Sequence, residues 1–260
     1  VDDDAGENYE TYYATALTAA GVDYQLWDVG ASGSPSAADL ANYGQVVWLT
    51  GDDYNSTLTS ADQTALAAYL DGGGTLFISG QDIGYDITGS TFYSNYLHAS
   101  YITDDTNVLS LTGADIMSGV NISISGGDGA NNQSFPSAIG LGAGSVGLFD
   151  YTGTTYTWGA LRWEGAYRVV YFSFGFEAIS TAANRTAVMG AVMDWLDGCA
   201  CEAVAINDVT AEASGCTVTF GADVAGDPPF SYAWNFGAFG VSADPAPVID
   251  YGVSGTYPYS

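Results

Sequence analysis

Carboxylates are the side chains in this chain most able to do chemistry, and their positions repeat. Asp2, Asp3 and Asp4 open the sequence, Asp52 and Asp53 follow the run QVVWLT, Asp82 and Asp86 follow TLFIS, and Glu177 follows RVVYFSF. Each group stands just past an apolar stretch that reads as a strand. Crowded carboxylates repel one another unless they are protonated, hydrogen-bonded to helix N-termini or neutralised by a cation. A hard, oxygen-liganded ion such as calcium suits Asp3, Asp4, Asp53, Asp82, Asp86 and Glu177, because it takes six to eight oxygens and needs neither histidine nor cysteine. Capping of the helices that follow each strand also explains these positions, and is placed ahead of the ion. Paired carboxylates for glycoside hydrolysis are a third use, with Trp27, Trp48, Trp163 and Tyr85 as cleft aromatics, although aromatics in a buried sheet are more often core.

Composition narrows the partners. Thirty acidic residues face three arginines, Arg162, Arg168 and Arg185, with no lysine, for a formal charge of -27 over 260 residues. Such a field repels phosphate backbones and anionic lipid, which argues against nucleic acid and membrane surfaces. No stretch approaches the roughly 18 apolar residues of a membrane span. A surface rich in Gly, Ser, Thr, Asn and Tyr but poor in charge fits an extracellular or cell-surface protein. The sequons at Asn55, Asn121, Asn132 and Asn184 would carry glycans on such a protein. Cys199, Cys201 and Cys216 allow one disulfide at the start of the second domain, Cys201 or Cys199 with Cys216, in an oxidising compartment.

The elements that position the carboxylates follow from periodicity. Apolar residues at helical spacing predict a helix from Glu7 to Ala20, stopped by Gly21. Strands are expected at Tyr24 to Val29, Gln45 to Thr50, Thr75 to Ser79 and Arg168 to Phe174. Thr59 or Ser60 caps a helix ended by Gly72, and a last helix runs from Ala182 to Leu196, closed by Gly198. Strands separated by helices predict an α/β domain over residues 1–198, an open, mostly parallel sheet flanked by helices. The Gly-rich middle, with short β-like pieces at Val108 to Leu111, Ile122 to Ile124 and Val146 to Tyr151, reads as an elaboration on the sheet edge. Val1 itself reads as the last residue of a strand, so the chain is expected to be a processed or partial form. Residues 199–260 alternate (TVTF, FSYAWNF, and Val248 to Tyr251), predicting a small C-terminal β-sandwich.

The segment FISGQDIG, Phe77 to Gly84, resembles the strand-to-helix elbow of class I glutamine amidotransferase-like domains, where G-x-C-x-G holds the nucleophile. Gly80 and Gly84 are kept, and Asp82 takes the cysteine position. Gly175, Phe176 and Glu177 resemble that family's His-Pro-Glu, with glycine in place of histidine. The resemblance implies a flavodoxin-like fold whose chemistry is lost, since glutamine hydrolysis needs a thiolate and an imidazole to move its proton. His98 lies in an aromatic stretch and is expected to be packed. Tyr232, Ala233, Trp234, Asn235, Phe236 and Gly237, with Gly255, Thr256 and Tyr257, resemble a PKD domain whose closing strand is cut short, as found in surface proteins. The combined expectation is a non-catalytic extracellular structural protein, a subunit of a filament or surface assembly that self-associates through strand edges. The alternative is an accessory or binding domain released from a larger secreted hydrolase, a peptidase or glycosidase.

Overall fold

In the computed structural model, which describes residues 1–155, 158–198, 205–225, 232–253 and 255–257, the chain divides into two compact units, Val1–Cys199 and Ala200–Ser260. The first unit is built on one nine-stranded sheet: β1 (Gln45–Gly51), β2 (Thr75–Gly80), β3 (Ala99–Thr103), β4 (Ser110–Gly113), β5 (Asn121–Ser123), β6 (Ala138–Leu141), β7 (Val146–Tyr151), β8 (Trp158–Glu164) and β9 (Arg168–Phe172). Their order is β1-β2-β9-β8-β7-β4-β5, with β6 paired to β8 and β3. Only β1, β2 and β9 run parallel; every other named pairing is antiparallel.

This corrects the open, mostly parallel sheet expected from the sequence. The Gly-rich middle is not an edge elaboration, because it supplies β3 to β8. These strands are short and broken by Gly, Ala and Ser, so they carry little local pattern and become strands through their neighbours. The stretch WGALRWE forms β8 because a tight turn lays it against β9, pairing Trp163 with Val169 and Leu161 with Tyr171.

The helices are α1 (Glu10–Ala19), α2 (Val29–Ser32), α3 (Ala37–Leu40), α4 (Ser60–Asp71), α5 (Ile83–Ile87), α6 (Thr91–Asn95) and α7 (Ala182–Asp197). Strand alternation decides which face each residue joins. Phe77, Val170 and Phe172 pack with Tyr13 and Leu17 of α1 and with Val188, Met189 and Val192 of α7. Leu76, Ile78, Val169 and Tyr171 pack with Leu66, Tyr69 and Leu70 of α4. The α4 start is a reciprocal capping box between Thr59 and Asp62, and α7 ends at Gly198 with φ +79°. The strand expected at Tyr24 to Val29 does not form. Only Asp28 makes a bridge, to Asp2, since a strand needs a partner along its length.

The second unit has β10 (Ala205–Ser214), β11 (Thr217–Ala225) and β14 (Val248–Asp250) in one small sheet, and β12 (Trp234–Asn235) with β13 (Val241–Ser242) in another. Phe220, Trp234, Phe236 and Tyr251 form its core. Cys216 is half-buried with a free thiol among the described residues, whereas Cys199 and Cys201, its expected partners, lie outside them. No described helix is long and apolar enough to cross a membrane.

Candidate functional site

The carboxyl ends of β1, β2 and β9 meet at one edge, and the loops leaving them carry Asp52, Asp82 and Glu177. Close packing demands glycine in the elbow after β2. A β-carbon at Gly80 would overlap the Thr50 hydroxyl, and one at Gly84 would come within 2.7 Å of the Tyr93 hydroxyl.

Asp82, 3% exposed, stands at the N-cap just ahead of α5 but makes no cap bond with its side chain; its Oδ2 accepts from Gln81 Nε2 at 2.9 Å. Burial pushes its carboxyl up to about 7, against the Gln81 bond, with the carboxylates of Asp104 and Asp52 adding to the rise. Gln81 is itself fixed, its Oε1 accepting from Phe135 N at 2.8 Å.

Glu177 is fully buried. Its Oε1 accepts from Asn132 Nδ2 at 2.7 Å and its Oε2 from the Tyr13 hydroxyl at 3.0 Å. Burial raises its pKa while these two bonds oppose the shift. Gly175 donates its N–H to Gln133 Oε1 at 2.9 Å, and a β-carbon there would collide with the Glu177 carboxylate and Gln133. A histidine side chain therefore has no room at this position with Glu177 where it is. The edge can hold and release a proton near neutrality, but the residues gathered there offer neither thiolate nor imidazole. His98 is elsewhere, before β3, stacked 3.8 Å from Trp163 with its Nε2 2.8 Å from the Tyr167 hydroxyl.

The other expected ligands are spread out. Asp3 accepts from Trp48 Nε1 at 3.2 Å, and its carboxyl is pushed up to about 7 by burial and by Asp62 and Asp53. Asp4 accepts from the N–H groups of Gly6 and Tyr9, fastening the turn ahead of α1. Asp53 accepts from Asn55 N, and Asp86 from the N–H and hydroxyl of Thr57, which pins the loop after β1 to α5. Among the described residues, the one cluster of three or more carboxylates with ligand atoms within 4.8 Å of one another is Asp2, Asp4 and Glu10. It contains only Asp4 of the six residues expected to bind calcium.

Asn132, read from sequence as a sequon, spends its amide nitrogen on Glu177, and Asn184 donates its own to the Asn121 carbonyl. Asn55 and Asn121 are exposed. Asp104, Gln81, Gln133 and Tyr13 were not expected at the edge. Their signal is absent from the sequence because they come from loops and from a helix face that reads as core.

No protein-family model and no curated protein matches this chain. Among solved structures it is similar to a cytoplasmic protein from Salmonella typhimurium, at 11% identity over 71% of this chain and 86% of that one, with a TM-score of 0.47. It is also similar to a beta-galactosidase from Bacillus circulans sp. alkalophilus (14%, 94% and 37%, TM-score 0.49) and to the mmIFT52 N-terminal domain (10%, 74% and 91%, TM-score 0.49). Likeness at this level carries no argument about activity.

Proposed function

We propose that this chain is a non-catalytic structural module of an extracellular or cell-surface assembly, joined to its neighbours by strand-edge contacts. The observation that carries this reading is β10. It is ten residues long, pairs with β11 on one side only among the described residues, and leaves every side chain from 206 to 214 exposed. Ile206 is 68% exposed. A long edge strand with open N–H and C=O groups is a template for another chain. Loss of amidotransferase chemistry is supported by Asp82 in the cysteine position and by the crowding of Gly175 against Glu177. The PKD-like reading of the second unit is supported by Trp234 and Phe236, which anchor its core, and by Asn235, whose Oδ1 accepts from Gly237 N at 2.9 Å.

Proline at two neighbouring positions tests the proposal. In an edge strand one of Val209 and Thr210 turns its N–H to β11 and the other turns it outward, so one of Val209→Pro and Thr210→Pro keeps the hairpin. Light scattering should show the parent chain associating as concentration rises, and the well-folded proline variant remaining monomeric. A parent chain that stays monomeric, or a folded variant that assembles like the parent, overturns the reading.

A further inference from the structure

Three aromatic side chains stand out into solvent around the carboxylate edge of the first unit: Tyr54 at 67% exposure, Tyr85 at 53% and Phe135 at 48%. Each is carried on fastened backbone. The Tyr54 loop is closed on both sides, by Asp53 N donating to Thr50 O at 3.1 Å and by Asp86 accepting from Thr57. Tyr85 belongs to α5. Phe135 N donates to Gln81 Oε1, and the carbonyl of the next residue, Pro136, accepts from Thr106 N at 3.1 Å. The rings are therefore open without their backbone being loose, and binding through them costs little ordering. They also share one neighbourhood. The Thr57 bond to Asp86 sets the Tyr54 loop beside Tyr85, and the Gln81 that holds Phe135 also donates to Asp82. Burial first, then the carboxylates of Asp104 and Asp82 and the Tyr85 phenol, push Tyr101 up to about 12, so Tyr101 stands among them.

The same segments carry carboxylates and no basic residue: Asp52 and Asp53 precede Tyr54, Asp86 follows Tyr85, and Asp104 and Asp105 precede Thr106. An open aromatic surface rimmed by charge of one sign marks a contact with a partner of the other sign. Two observations select the form of that partner's charge. Among the described residues, no three of these carboxylates bring ligand atoms within 4.8 Å of one another, so they suit positive groups spread along a chain better than one metal ion. The rings in turn offer flat faces to a guanidinium and apolar contact to its aliphatic stem. A second copy of this chain cannot supply such groups. It has no lysine, and its three arginines are engaged, Arg162 with Asp115, Arg168 with Glu164 and Arg185 with Asp128.

We propose that this aromatic and acidic face docks an extended, arginine-bearing segment of a different protein. Its guanidinium planes lie on the Tyr54 and Tyr85 rings while their N–H groups donate to the neighbouring carboxylates, the pairing for which a planar fork is suited and a point charge is not. The contact adds a partner of opposite charge to the self-association proposed for β10, and does not depend on it.

Fluorescence anisotropy of a labelled peptide of four Ser-Arg repeats, titrated with the full chain in about 0.15 M salt to screen its general negative field, tests this. A peptide of four Ser-Lys repeats carries the same charge and should bind about tenfold more weakly, because an ammonium neither stacks nor forks. Tyr54→Ser and Tyr85→Ser, each at an exposed ring, should weaken the arginine peptide by about threefold or more. Tyr24→Ser, at a ring 46% exposed outside this face, should leave it unchanged. Melting curves that match the parent show that the variants are folded. Absence of binding by the arginine peptide overturns the proposal. So does equal affinity for the two peptides, full affinity in either Tyr54→Ser or Tyr85→Ser, or an equal loss in Tyr24→Ser, since each of these leaves net charge alone as the cause of binding.

Discussion

Glu177, just past β9, and Asp2, held by two isolated parallel bridges, are both carboxylates beside the parallel strands, and the fold treats them differently. Glu177 is fully buried, and each of its oxygens has a donor, Asn132 or Tyr13. Asp2 is less buried, yet among the described residues its Oδ1 has no hydrogen-bond partner, nor does Oε2 of the neighbouring Glu10. Burial alone thus does not measure how well a carboxylate is accommodated. Donors do, and among the described residues Asp2 Oδ1 and Glu10 Oε2 lack them where they crowd against Asp4.

The sharpest way to break this comparison is Glu177→Ala. It leaves the Tyr13 hydroxyl and the Asn132 amide without their acceptor, and should cost about 3 kcal/mol in urea unfolding followed by tryptophan fluorescence. Glu177→Gln restores an acceptor and should recover at least half of that loss. An unperturbed Glu177→Ala would mean that its donors find other partners and that satisfaction does not separate the two sites.

The pH dependence comes next. Asp2, Asp3 and Asp82 are raised from 3.8 to about 7 in the folded chain. Between these values the folded state holds protons that the unfolded state has released. Their contribution to stability is full below the unfolded value and is lost as pH rises through about 7. Melting temperature, measured in small steps from pH 4.5 to 8, should therefore fall across that window. Asp82→Asn, which keeps an acceptor for Gln81, should flatten part of the fall, and an unchanged profile would remove Asp82 from the account.

The smallest effect belongs to the crowded group. Asp2→Asn removes repulsion from Asp4, Glu10 and Asp28 and should stabilise the chain by about 0.5–1 kcal/mol at pH 8, less in high salt. Millimolar calcium should raise the melting temperature of the parent chain by about 2 °C, but not that of Asp2→Asn. A calcium shift that survives the substitution would move the ion to other carboxylates.

Sequence patterns read the long elements well where the pattern is local. The helices α1, α4 and α7 and the strands β1, β2 and β9 lie close to their expected spans, and Thr59 does cap α4. They read poorly where pairing partners make the structure. The missed β3, β6, β8 and β10 are strands because of their neighbours, and Tyr24 to Val29 is not a strand because it lacks one along most of its length. At the site, Asp82 and Glu177 were visible from their places after β2 and β9. Asp104, Gln81 and Gln133 were not, since irregular segments bring them in without a spacing to mark them.

What the sequence determined by itself is the inventory: a lysine-free chain of charge -27, with carboxylates after each parallel strand. What only the tertiary structure decided is the state of those carboxylates and the direction of the middle strands. Protonation depends on donors and charges a few ångströms away through space, and strand direction on which edge is available to pair. Neither is encoded in the spacing of residues along the chain.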